Sequence, residues 1–157
     1  MAETQPKVVH LTSAHTPLDN RIFFRECRSL KEDGYEVVLV APHPTDEVVE
    51  GIQIRGVWTR GGRLQRMLLR TLKVFQRALQ EDAQLYHFHD PELIPAGLVL
   101  RLLGKQVVYD IHEDNREGLK TKPYFPRPLA GFLAAVLGSV EGMAARCFHQ
   151  IIAEKCY

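Results

Sequence analysis

Histidines and carboxylates gather at three points of the chain. His87, His89 and Asp90 stand as His-x-His-Asp, with Glu92 just beyond. His112, Glu113 and Asp114 make a second polar run, and His15, Asp19 and Arg21 a third. Imidazole and carboxylate together can hold zinc or manganese, or move protons as general acid and base. A metal-dependent hydrolase using the His-x-His-Asp cluster is one reading. The other is that His87 packs inside a strand, under a helix, while His89 lines a cleft. No HExxH spacing supports the metal. Arg21 has the planar fork for a phosphate or carboxylate, or it pairs with Asp19, Glu113 or Asp114 and fixes a loop.

These residues need elements to carry them. Lys7–Thr12, Tyr35–Ala41, Gly51–Val57, Leu85–His89, Gln106–Ile111 and His149–Ala153 read as strands. Between them the spacing predicts helices over Arg21–Asp33, capped by Asp19 or Asn20, and over Leu93–Leu103. Leu64, Met67, Leu68, Thr71, Leu72, Phe75 and Leu79 mark the apolar face of a long helix. Pro128 opens a last one. Repeated strand–helix–strand units imply an α/β domain of three layers, α/β/α, with a mainly parallel sheet of about six strands. Ligands of such folds bind beyond the carboxyl ends of the strands. The three polar runs all fall there.

Other chemistries are disfavoured. The loop from Ala14 to Asn20 has no glycine, so the dinucleotide fingerprint is missing, and no Walker A loop or GxSxG elbow occurs. The 157 residues suit one domain of about 100–200 residues with a real core. With 20 basic and 19 acidic residues the net charge is only +1, which argues against nucleic acid as a partner. Cys27, Cys147 and Cys156 are an odd count without close pairs, no export signal is visible, and a cytoplasmic protein is expected.

His10-Leu-Thr-Ser13, Asp19-Asn-Arg-Ile-Phe23, Glu26, Ser29-Leu30 and Gly34-Tyr35 resemble the opening of family-four-like glycosyltransferases of the GT-B fold (glycosyl transferase group 1 type). His89-Asp-Pro-Glu-Leu93 and Tyr109-Asp-Ile-His-Glu-Asp114 resemble two further signature stretches of that family, in register. The resemblance implies a Rossmann-like domain corresponding to the N-terminal, acceptor-side half of a GT-B enzyme. The donor-binding C-terminal domain, with its glutamate-rich motif, has no counterpart in residues 1–157 and is a partner in the same or a separate chain.

The implied reaction is transfer of a sugar from a nucleotide diphosphate donor, as substrate, to a hydroxyl of a glycan or lipid-linked acceptor. No cofactor and no metal are implied. At matched positions the resemblance assigns catalysis to His112, which contacts the transferred sugar, and to Asp90, which orients an acceptor hydroxyl or caps a helix. His15, Asp19, Arg21, His89, Glu92, Glu113 and Asp114 are then candidates for binding acceptor or donor sugar. On this reading the chain alone is inactive. A non-catalytic half that binds carbohydrate or pairs with another chain is the alternative.

One charge pattern remains. Gly51 to Gln80 contains no acid, while Arg63, Arg66, Arg70, Lys73 and Arg77 recur every three or four residues opposite the apolar stripe of the long helix. Such a stripe suits an anionic membrane surface at the inner face of the membrane. A helix face that is solvated, or paired with acids elsewhere in the fold, is the plainer reading.

Overall fold

The computed structural model describes residues 5–60, 62–111, 135, 138, 139, 142 and 146–152. Its strands are β1 (Lys7–Leu11), β2 (Glu36–Ala41), β3 (Glu47–Val49), β4 (Ile52–Gly56), β5 (Leu85–Phe88), β6 (Gln106–Ile111) and β7 (His149–Ile152). They form one sheet in the order β3-β4-β2-β1-β5-β6-β7. All described pairs are parallel except β3 with β4. The expected α/β architecture holds, with one more strand than expected.

The extra strand comes from a tight hairpin. Glu50 and Gly51 both take positive φ, 52° and 76°. Two successive residues of that hand match the twist of an antiparallel ribbon, so β3 folds directly back on β4. Glu50 carries a side chain in a conformation that favours glycine, and a forked ion pair from Arg28 holds its carboxylate at 2.7 and 2.8 Å. Without an Asn-Gly or Asp-Gly signal, Pro42 and Pro44 read only as the end of β2.

Buried parallel strands must be apolar on both faces. Val9 and Leu11 of β1, Tyr86 and Phe88 of β5, and Val107 and Tyr109 of β6 share one face with α2 (Arg63–Glu81) and α3 (Ile94–Leu102). On the opposite face Val37 and Leu39 of β2, with Ile52 and Ile54 of β4, meet Ile22, Phe23 and Cys27. Those three belong to the π-helical segment Ile22–Cys27, which continues as α1 (Arg28–Glu32). Bonds of i to i+5 type, Phe24 N–H to Asp19 O at 3.3 Å and Glu26 N–H to Arg21 O at 3.1 Å, widen this first stretch.

The long helix departs from its expected packing. Among its described side chains Val74 and Ala78 lie in the core, with Phe75 partly buried against it. Leu68 and Leu72 are 61% and 51% exposed. Valine and alanine are small enough for the helix to lie close on β1 and β2. The leucines instead border an apolar groove of about 340 Å³ against Pro95 and Val99 of α3. The helix expected from Pro128 lies mostly outside the described residues, as do His112, Glu113 and Asp114.

Cys27 is fully buried beside Glu26, while Cys147 is exposed. Burial first, then the Glu26 charge, push the Cys27 thiol far above its ordinary 9.0. A thiolate-selective alkylating reagent at mildly alkaline pH is expected to label Cys147 and spare Cys27 until denaturant is added. Peptide mapping reads the result, and native labelling of Cys27 at the Cys147 rate would show that this helix does not close on the sheet.

Candidate functional site

The sheet order creates the site. The chain leaves β1 through α1 on one face to reach β2, and comes to β5 through α2 on the other. The loops after β1 and β5 therefore part at adjacent strand ends, which is where sheets of this kind form their ligand crevice.

Asp90 closes the floor of that crevice. Its Oδ2 accepts hydrogen bonds from Ser13 N–H (2.6 Å), Thr12 Oγ1 (2.7 Å) and Ala14 N–H (3.3 Å). His15 Nδ1 lies 3.1 Å from Oδ1. Burial works to raise the Asp90 carboxyl. The hydrogen bond and charge of His15, with the bonds from Thr12 and Ser13, outweigh it and hold the pKa at about 2. The helix-capping expectation for this side chain is corrected. Only the Asp90 backbone carbonyl reaches the following turn, accepting Leu93 N–H at 3.0 Å, because the β1 loop offers the buried carboxylate several donors at once. Glu92 Oε1 accepts from Ser13 Oγ at 2.8 Å, so two carboxylates after β5 grip the same loop.

Behind the crevice, strand alternation turns His10, His87 and Asp110 to the α1 side of the sheet, with His10 and His87 directly opposite in register. His89 follows β5 with the same alternation. The His87 and His89 ring centroids are 4.6 Å apart, as are those of His10 and His87. Glu26 Oε2 stands 3.8 Å from His10 Nδ1, 3.9 Å from His87 Nδ1 and 3.8 Å from His89 Nε2. His89 Nδ1 lies 3.2 Å from Asp110 Oδ2. Burial first, then His87 and His89, push His10 well below its ordinary 6.5, so its ring is neutral at pH 7.

The His-x-His-Asp run is thus divided. His87 and His89 join His10 and Glu26, while Asp90 turns to the β1 loop. Arg21 is also redirected. It forks onto Asp110, Nε to Oδ2 at 3.0 Å and Nη2 to Oδ1 at 2.8 Å, with Glu26 Oε1 3.1 Å from Nε. Of the pairings open to Arg21, those with Glu113 and Asp114 lie outside the described residues, and its guanidinium forks onto Asp110 while the Asp19 charge acts on it from nearby. Asp19 Oδ1 accepts the N–H groups of Arg21 and Ile22 at 2.8 and 3.0 Å, which is the expected cap of the first helix. Asp110 was missed by sequence reasoning as a site member, as were His10 and Glu26. The signals for Asp110 were a single acid in the apolar run QVVYDI and its place in the signature stretch Tyr109–Asp114.

The basic stripe of α2 partly turns inward. Arg70 Nη1 donates to Ser13 O at 3.0 Å, Lys73 Nζ to Trp58 O at 3.0 Å, and Arg77 forks onto Asp46 at 3.2 Å. For these three, partners within the fold replace a purely outward stripe. Arg63 and Arg66 lie on the first turns of the same helix.

A family model described as a glycosyl transferase 4-like domain matches residues 20–153. The chain belongs to that family. No curated protein sequence matches it. Among solved structures, sucrose-phosphate synthase from Thermosynechococcus elongatus superposes with a TM-score of 0.60 at 11% identity, over 95% of this chain and 47% of that one. The catalytic domain of starch synthase IV from Arabidopsis thaliana, bound to ADP and acarbose, gives 0.58 at 12%, over 95% and 52%. At such identities the likeness speaks for the fold. This glycosyl transferase 4-like domain spans about half the length of the structures it matches. Among the described residues, no helix is long and apolar enough to cross a membrane.

The clamp of this domain has a pH signature. Asp90 has a folded pKa of about 2 against an ordinary 3.8. A depressed carboxylate contributes stability that is complete above its unfolded pKa and lost as pH falls through the folded one. Asp90→Asn is expected to cost about 2 kcal/mol at pH 6, a difference that fades between roughly pH 4 and pH 2. Urea unfolding at several pH values measures it; a constant difference down to pH 2 would remove the charge from the explanation.

Proposed function

We propose that the chain is the acceptor-side half of a glycosyltransferase that moves a sugar from a nucleotide diphosphate donor to a hydroxyl of a glycan or lipid-linked acceptor. The family match over residues 20–153 carries this reading, and the crevice at the switch point supports it. His15 and Glu92 stand half-buried at that crevice, each tied down through the β1 loop. They are the described side chains best placed to meet an acceptor hydroxyl. Asp90, with both oxygens engaged, acts in this proposal by positioning His15 and Ser13 rather than by taking a proton itself. His112 is assigned to the transferred sugar by resemblance.

A lipid-linked acceptor also suits α2. Its outward leucines and the groove shared with α3 offer an apolar surface, on the helix that also carries the half-buried Arg70 and Arg77 and the exposed Lys73. Vesicle sedimentation is expected to show binding that increases with anionic lipid and falls with salt. Protein that stays in the supernatant with both anionic and neutral vesicles at low salt would end the membrane proposal.

The activity test joins this chain to a donor-binding domain and follows consumption of a panel of nucleotide sugars. His112→Ala is expected to lower kcat by about 10²-fold with an unchanged circular dichroism spectrum, the usual loss for one aimed hydrogen bond. His15→Ala is expected to raise the KM for acceptor more than it lowers kcat. Donor consumption by the chain alone, or full turnover in His112→Ala, would overturn these assignments.

A further inference from the structure

We propose that His10, Glu26, His87 and His89 form a closed four-coordinate site for a zinc-class divalent cation. The inference goes beyond sugar transfer and does not depend on it. One donor atom from each residue lies within 4.8 Å of all the others. Four of the separations are tighter: His10 Nδ1 to His89 Nε2 is 3.1 Å, and Glu26 Oε2 lies 3.8–3.9 Å from the three imidazoles. A tetrahedral zinc with bonds of 2.0–2.1 Å needs donors roughly 3.4 Å apart, so side-chain adjustments of about 1 Å or less per residue close the shell.

The donor chemistry fits the same cation. Three nitrogens and one carboxylate oxygen suit zinc, whereas magnesium and calcium prefer oxygen-rich shells. His10 is fully buried, with its Nδ1 turned to Glu26 and His89. The surroundings also resemble the outer shell of a metal site. Asp110 receives His89 through the ring nitrogen remote from the donor set, and Arg21 holds the second Glu26 oxygen. A cleft of about 560 Å³ lined by His10, Arg21, Glu26 and His87 gives an ion a way in.

All four positions come from the protein, which is the pattern of a structural metal rather than of one that activates water. The ion would fasten the Ile22–Cys27 segment to β1 and β5. That contact sets where the β1 loop leaves the sheet, one strand end away from the crevice.

Tag-free chain, stripped with a chelator and dialysed against zinc near neutral pH, tests the site by metal content and calorimetry. One equivalent is expected, with a Kd on the order of 10⁻⁷ M or tighter. Cobalt in place of zinc should give the intense visible bands of a tetrahedral site. Glu26→Gln and His87→Gln should each weaken binding by about tenfold or more, and Asp110→Asn by about 10–100-fold. His43→Gln, remote from the cluster on the loop after β2, should change nothing. If the cluster variants fail to fold, the wild-type stoichiometry and cobalt spectrum still decide. Less than half an equivalent bound at about 10 µM free zinc, a spectrum without tetrahedral bands, or loss of binding in His43→Gln would each overturn the proposal.

Discussion

Asp110 is fully buried near the carboxyl end of β6, on the same sheet face as α1. A carboxylate there is costly unless charge and hydrogen bonds meet it. Arg21 supplies both through a forked pair, and His89 stands against one of the same oxygens. Because Arg21 lies at the mouth of the first helical segment, satisfying Asp110 also fixes where that segment begins over the sheet. Glu26, one turn on, then has to fall above the three histidines. Breaking the pair would leave Asp110 without its cation and release the helix that shapes the crevice.

The same logic runs at the neighbouring strand ends. Asp90 is buried just beyond β5, and its compensation comes from the backbone and side chains of residues 12–15. Two strands that adjoin in the sheet are thereby joined a second time, above it, by a carboxylate. Arg70 adds a third tie by reaching from α2 to Ser13 O. A crevice at a switch point is given by topology. A crevice of fixed shape needs such ties, since the loops around it have little apolar surface to bury.

α2 shows how tertiary geometry selects among faces that a helix offers. Its leucines have the strongest periodicity, yet Val74 and Ala78 meet the sheet. Hydrophobic spacing says that a helix has an apolar side; it does not say which part of a wide apolar side allows the closest approach. The outcome leaves an exposed apolar border beside α3 and brings Arg70, Lys73 and Arg77 within reach of carbonyls and Asp46.

Local patterning determined the strands, their alternation, the first helix with its Asp19 cap, and the placing of polar residues at strand ends. Each follows from a period of 2 or 3.6 and from short-range hydrogen bonding, which neighbours in sequence settle between themselves. Family motifs in register extended that reading to the GT-B half. Tertiary structure alone decided the hairpin at Glu50-Gly51, whose backbone hand no residue type announced, and the direction taken by each site side chain. Asp90 follows His89 in the chain, but successive residues of an extended segment point opposite ways, so one serves the β1 loop and the other the histidine cluster. Asp110 looked like one polar residue in an apolar strand. Its meaning lies in Arg21, 89 positions earlier, and only the sheet brings the two together.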